Sequence, residues 1–152
     1  MARLYLEDFA VGQKYGTQRL RVEAEAIKAF AAAFDPQPFH LDDDAARASF
    51  FQGLSASGWH TAALTMRLLV EGDLTPAGGI IGVWAEAMKW PRAVRPGDEL
   101  EVQAEILAVR PSESRPGQGF VKVRSTTLNQ HGEAVQVLVI NLLVQARQAA
   151  PA

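Results

Sequence analysis

Residues 59–70 read WHTAALTMRLLV, and this helical stretch decides the fold because only strand patterns follow it. The apolar residues Ala62, Ala63, Met66, Leu69 and Val70 fall on one side of a helix, and the small residues near its start permit close packing. A helix with an apolar side must bury that side, and the only large partner here is a sheet. The order of elements therefore predicts an α+β fold, with an antiparallel sheet wrapped around a long central helix.

Four strand patterns follow the helix, at residues 80–90, 100–106, 120–128 and 135–144. In the second, apolar residues alternate with Glu101, Gln103 and Glu105, which predicts a strand with one face in water. The fourth is almost wholly apolar, which predicts burial on both faces in the middle of the sheet. His131-Gly132 predicts a hairpin turn between the last two strands.

The first half of the chain is predicted to hold a strand at 16–22, a helix at 23–34 and a short helix near 43–49. No repeat or linker divides the sequence. We therefore expect one domain over residues 1–152, with residues 146–152 as a frayed tail.

Composition narrows the classes of function. The chain has 152 residues, 48% hydrophobic and 21% charged, with a formal net charge of −2, which gives no support for nucleic-acid binding. It has no cysteine, and its three histidines show no metal-ligand spacing, so no metal is expected. The N-terminus has no signal-peptide pattern, and no apolar run approaches the ~20 residues that span a bilayer. We expect a cytoplasmic protein without membrane partners.

Residues 34–40, Phe-Asp-Pro-Gln-Pro-Phe-His, carry the most specific chemistry. They place Asp35 and His40 at the two ends of a loop that Pro36 and Pro38 should stiffen. A rigid carboxylate and imidazole suit acid–base work on water. The same residues also fit a structural reading, in which Asp-Pro ends the helix at 23–34 and the acidic cluster at 42–44 caps the next one.

The motif Asp-x-Gln-Pro-x-His resembles the hydratase motif of the MaoC-like dehydratases, the (R)-specific enoyl-CoA hydratase group, where Asp-x-Asn-Pro-x-His is usual. Two further segments, residues 56–63 and 82–100, are similar to that family's glycine-bearing entry to its central helix and to its following strands. The resemblance covers about residues 5–146 in the right order. It implies a hotdog fold and a homodimer, or a higher homo-oligomer, whose sheets join edge to edge.

The resemblance also implies an activity in fatty acid metabolism: hydration of a trans-2-enoyl-CoA thioester to a 3-hydroxyacyl-CoA, or the reverse dehydration. Asp35 would be the base, His40 would orient the water or relay its proton, and the backbone N–H of Gly58 would stabilise the oxyanion. Coenzyme A would enter only as part of the substrate, and no other cofactor is expected. The expected substrate-binding residues are Gln37, Ser57, Trp59, Lys89 and Pro91.

Departures from the family pattern bear on the substrate. Gln37 stands where asparagine is usual, Phe34 replaces a smaller residue, and Ser57 stands where many members have histidine.

Two alternatives to the hydratase function remain: a hotdog acyl-CoA thioesterase and a non-catalytic acyl-CoA binding subunit. Such thioesterases usually place a carboxylate on the central helix, and residues 59–70 have none. A non-catalytic subunit would leave Asp35 and His40 separated or blocked.

Other residues have structural readings. His60 is expected to pack or cap a helix, His131 to be exposed, and Trp84 and Trp90 to lie in the core or an interface. Lys89, Arg92 and Arg95 form a small basic group that fits either a solvated loop or the phosphates of coenzyme A.

Overall fold

The computed structural model describes residues 2–147. Its helices are α1 (Ala24–Phe34), α2 (Pro38–Leu41), α3 (Asp43–Arg47) and α4 (Gly58–Glu71), preceded by a 3-10 turn at Leu6–Asp8. Its strands are β1 (Lys14–Tyr15), β2 (Leu20–Arg21), β3 (Gly82–Lys89), β4 (Glu99–Pro111), β5 (Gln118–Leu128) and β6 (Ala134–Gln145). No helix among these residues is long and apolar enough to cross a membrane.

The strands form one antiparallel sheet with the order β1-β4-β5-β6-β3, and β2 also pairs with β4. The strands β4, β5 and β6 are consecutive neighbours, whereas β3 crosses over to pair with β6 and lies at the edge. This topology places the chain that follows β3, including Trp90, beside the N-terminal end of α4, where the two tryptophan rings of Trp59 and Trp90 meet.

Helix α4 packs against the sheet, as the sequence predicted, and contacts β4 and β6. The face that it buries is only partly the predicted one, since Leu69 is buried as expected. Met66 and Val70 are 41% and 61% exposed, whereas Thr61, Thr65 and Leu68 are buried. Two threonines can occupy that face because their hydroxyls are bonded. Thr61 Oγ1 lies 3.5 Å from the Ser57 carbonyl oxygen, and Thr65 Oγ1 lies 2.9 Å from the Thr61 carbonyl oxygen and 2.6 Å from Thr127 Oγ1. The α+β prediction of a sheet wrapped on a helix, the hotdog fold, is confirmed.

Several boundaries differ from the sequence prediction. Only β2 lies within the single strand expected at 16–22, and β1 precedes that range. The middle of β6, residues 137–140, is partly exposed, so the expected burial on both faces is wrong there. Two residues assigned to the frayed tail have partners: the Ala146 N–H donates to the Gly117 carbonyl, and Arg147 bonds the carboxylates of Glu7 and Asp8. Residues 148–152 lie outside the described residues.

Candidate active site

The expected loop between Asp35 and His40 is mostly a short helix. Asp35 ends α1, and its N–H donates to the Ala31 carbonyl at 2.8 Å. Pro38 then begins α2, a position where its missing N–H costs nothing and its fixed φ suits a helix. The turn of α2 returns the chain toward Asp35, and His40 is buried in its last turn. Two helix ends therefore hold the carboxylate and the imidazole together.

Asp35 and His40 face each other, with Asp35 Oδ2 3.4 Å from His40 Nε2. On the other side of the ring, His40 Nδ1 lies 2.6 Å from the Ser55 carbonyl oxygen. A carbonyl can only accept, so Nδ1 carries a proton and the neutral ring presents a lone pair at Nε2. A carboxylate and a nitrogen lone pair both accept hydrogen bonds. The two groups can thus share a water molecule that donates one proton to each.

Hydrogen bonds keep Asp35 ionised. Partial burial by itself raises the pKa of Asp35, but hydrogen bonds from Gln37 and Ser57, and the positive charge that His40 carries when its ring is protonated, outweigh it and lower that pKa. The Gln37 side chain donates from Nε2 to Asp35 Oδ1 at 2.6 Å. At neutral pH the Asp35 carboxylate is therefore available as a base.

The N-terminal end of α4 completes the site. Ser57 caps the helix and is fully buried, and its Oγ accepts from the Trp59 N–H at 3.2 Å. The N–H groups of His60 and Thr61 are bonded to the Ser57 carbonyl. Within residues 2–147, no acceptor is found for the Gly58 N–H. A free N–H at the positive end of a helix favours developing negative charge.

A cavity of about 270 Å³ joins these groups. Of the expected site residues, Asp35, His40, Ser57, Gly58 and Trp59 line it. Gln37 contacts Asp35 from outside the lining, and Lys89 and Pro91 also lie outside it. The other lining residues are Phe51, Ala56, Thr61, Trp90, Arg92, Ala93 and Val94.

The members of the basic group, Lys89, Arg92 and Arg95, make different contacts. Arg95 is structural: its guanidinium donates to the carbonyls of Phe51, Gly53 and Leu54. Arg92 lines the cavity and forms an ion pair with Glu133 at 2.9 Å. Arg92 is thus the member of this group that reaches the site.

Sequence reasoning missed a polar chain behind the cavity wall. The Trp90 indole Nε1–H donates to Gln136 Oε1 at 2.9 Å, and Gln136 Nε2 donates to Thr65 Oγ1 at 3.2 Å. The available signal was an amide, Gln136, inside the apolar run of β6. The expected packing role of His60 is confirmed, since it is buried and stacks on Phe30 with ring centroids 4.7 Å apart. Burial lowers the pKa of His60.

The described residues contain no group of three or more histidine, aspartate or glutamate side chains placed to hold a metal ion.

A sequence profile of the MaoC like domain matches residues 8–129. The chain belongs to the MaoC-like family. The MaoC-like dehydratase from Rhodospirillum rubrum has a similar crystal structure, with 57% identity, a TM-score of 0.93, and coverage of 96% of this chain and 99% of that chain.

Two further relatives of this MaoC-like protein differ in what they show. The uncharacterized protein YdeM of Bacillus subtilis is 34% identical over 125 residues, which are 82% of this chain and 87% of YdeM. The unliganded (R)-hydratase PhaJ1 from Pseudomonas aeruginosa has a TM-score of 0.73 and 22% identity, covering 99% of this chain and 94% of that chain. At that identity PhaJ1 supports the fold alone.

Proposed function

We propose that this MaoC-like protein is a hydro-lyase that hydrates a trans-2-enoyl-CoA thioester to a 3-hydroxyacyl-CoA and catalyses the reverse dehydration. The observation that carries the proposal is the pair of facing acceptors, Asp35 Oδ2 and His40 Nε2, 3.4 Å apart on the wall of one cavity. The Gly58 N–H lies at the same cavity. Hydration needs a base for water, a donor for the charge that develops on the thioester oxygen, and a proton for the α-carbon, which the base can return.

The proposed reaction follows from those positions. Asp35 and His40 hold a water, and Asp35 takes its proton as the water oxygen bonds to the β-carbon. The electron pair of the double bond moves to the thioester oxygen, where the Gly58 N–H stabilises the enolate. The enolate then re-forms the carbonyl while its α-carbon takes up the proton held by Asp35. Dehydration is the same sequence reversed, so neither step consumes a cofactor.

Two features favour this reaction over the alternatives from sequence. A non-catalytic subunit would have a separated or blocked pair, whereas Asp35 and His40 are close and line the cavity. A thioesterase of the usual hotdog kind needs a carboxylate on α4 near the substrate. Helix α4 carries Glu71 at its far end, bonded to Arg67.

The substrate and a second copy of the chain are the proposed partners. Ser57, Trp59 and Arg92 would contact the thioester, and Gln37 would act through Asp35. A homodimer is supported by exposed apolar side chains on the edge strand β3. The cytoplasmic location stays a prediction from sequence.

The test is loss of the absorbance of the conjugated thioester when the protein meets trans-2-enoyl-CoA substrates of increasing chain length. Asp35→Asn and His40→Ala should each lower kcat about 10²–10⁴-fold, because each removes one of the groups that hold and activate water. His131→Ala is the matched control, since His131 is exposed in the turn before β6. Unchanged rates in both folded site variants would show that the assigned roles are wrong.

A further inference from the structure

The cavity wall formed by Trp90 is held from behind by buried polar groups. Gln136, Thr65 and Thr127 are 0%, 1% and 0% exposed. Thr65 Oγ1 donates to the Thr61 carbonyl and accepts from Gln136 Nε2 and from Thr127 Oγ1. The Thr65 hydroxyl therefore makes all the hydrogen bonds that it can make. The other polar atom of the Gln136 amide, Oε1, accepts from the Trp90 indole N–H at 2.9 Å. This polar chain fixes the amide of Gln136 and, through it, the indole.

The indole is also fixed from the front, by the N-terminal end of α4. A Cβ atom built on Gly58 would lie 2.7 Å from Trp90 Cε2, so the ring is in contact with the Gly58 backbone. The Trp59 ring meets it edge-on, with centroids 5.3 Å apart and an interplanar angle of 79°. Trp90 is nevertheless 41% exposed and lines the cavity. Its free surface therefore bounds the space beside the proposed oxyanion donor.

We infer that Trp90 is a specificity-determining residue that restricts this site to short acyl groups, and that Gln136 and Thr65 position its ring for that purpose. The inference rests on the proposed function for the identity of the substrate as an acyl-CoA. The cavity of about 270 Å³ is slightly smaller than typical ligand sites, which are ~300–1,000 Å³. The catalytic pair, Gly58 and Trp90 share this space. We therefore expect a long acyl chain to be limited by a ring that is anchored at its N–H.

The location of the polar chain supports a role in the site. A buried amide could be replaced by an apolar side chain if only packing mattered, because burying polar groups is unfavourable unless they are paired. Gln136 joins α4 to Trp90, the side chain that lines the cavity. Asn141, a second buried amide on β6, instead donates to Glu86 Oε2 at 2.9 Å and lies outside the cavity lining. Asn141 therefore provides a matched control.

The experiment measures two properties of wild type, Trp90→Ala, Trp90→Phe, Gln136→Leu and Asn141→Leu. The first is kcat/KM for trans-2-enoyl-CoA substrates with short and long chains. The second is calorimetric affinity for the corresponding saturated acyl-CoA thioesters, which cannot be hydrated. Circular dichroism and thermal melting establish that each variant is folded.

Wild type should prefer the short chain in both measurements. Trp90→Ala should raise the long-to-short ratio at least about tenfold, the scale on which a hydrophobic pocket discriminates chain length. Gln136→Leu releases the indole, and Trp90→Phe leaves a smaller ring without the bonded N–H, so both should move the ratio in the same direction by less. Asn141→Leu should leave the ratio unchanged even if it lowers thermal stability.

The two proposals fail separately. If wild type hydrates enoyl-CoA but Trp90→Ala leaves both ratios unchanged, or if wild type prefers long chains, the inference about Trp90 is overturned and the hydratase proposal stands. If no variant hydrates any substrate while the affinity ratios shift as expected, the hydratase proposal fails and the role of Trp90 stands. Absence of acyl-CoA binding by wild type overturns both.

Discussion

Gln37 helps to lower the pKa of Asp35 through a hydrogen bond of 2.6 Å, and this contact leads to a prediction about pH. Burial raises the pKa of Asp35, but the bonds from Gln37 and Ser57 and the charge of protonated His40 lower it overall. A carboxyl whose pKa is lowered by folding adds stability above its unfolded pKa, and this is lost as the pH falls through the folded pKa. Because the Gln37 hydrogen bond lowers the pKa of Asp35, Gln37→Ala should raise that pKa and move the acid limb of kcat/KM to higher pH.

The matched control for this residue-scale prediction is Gln103→Ala, which deletes an exposed amide on β4. The measurement is kcat/KM of each variant through the acidic and neutral range. An acid limb that stays where wild type has it would show that Gln37 does not hold Asp35 in its ionised form.

At the same scale, sequence reasoning found the residues that lie near one another in the chain. Asp35 and His40 are five positions apart, and Gly58 opens the next long helix, so local patterns were sufficient. Gln136 was missed because its partners, Thr65 and Trp90, are 71 and 46 positions away. A strand pattern shows that a buried amide needs a partner, but register and topology decide which side chain it meets.

At the scale of elements, the buried threonine face of α4 predicts an unusual dependence on one hydroxyl. Thr65→Val keeps the shape of the side chain but leaves Gln136 Nε2 and Thr127 Oγ1 without their shared partner. We expect the free energy of unfolding to fall by about 1–3 kcal/mol, the typical cost of unpaired buried polar groups. Urea denaturation followed by circular dichroism measures the change.

The control is Thr126→Val on β5, a neighbouring threonine that is only partly buried. Valine suits a strand, so this change should be close to neutral. Equal stability of Thr65→Val and wild type would mean that the hydroxyl pair does not help join α4 to the sheet.

The same helix shows why one element was predicted correctly and its buried face only in part. The period of α4 is clear from residues 59–70, but hydrophobicity alone selects Met66 and Val70, which are exposed. The buried side was decided by hydrogen bonds to β5 and β6, which no local pattern contains. Helix α2 was read as a loop for a related reason: its four residues are too few for a periodic pattern, and Pro38 marks its start.

At the scale of the whole molecule, the sheet has an edge that a second copy of the chain would cover. Strand β3 ends the strand order, pairing with β6 alone among the described strands. Three apolar side chains at that edge are largely exposed: Ile81 at 46%, Val83 at 51% and Trp84 at 40%. An open edge with exposed apolar side chains favours pairing with another strand. The proposed homodimer would pair the open edge of β3 and bury these apolar side chains.

Val83→Lys tests that assembly, because a charge at an edge strand opposes edge-to-edge pairing. Val83 lies at a register shift between β3 and β6, so the change should spare the pairing within the chain. We expect wild type to sediment as a dimer, and Val83→Lys to weaken association at least about tenfold, which corresponds to about 1.4 kcal/mol. Val11→Lys is the control, since Val11 is 69% exposed and lies outside β3. Sedimentation velocity over a concentration series separates the outcomes: a monomeric wild type, or equal association by both lysine variants, would place no interface at β3.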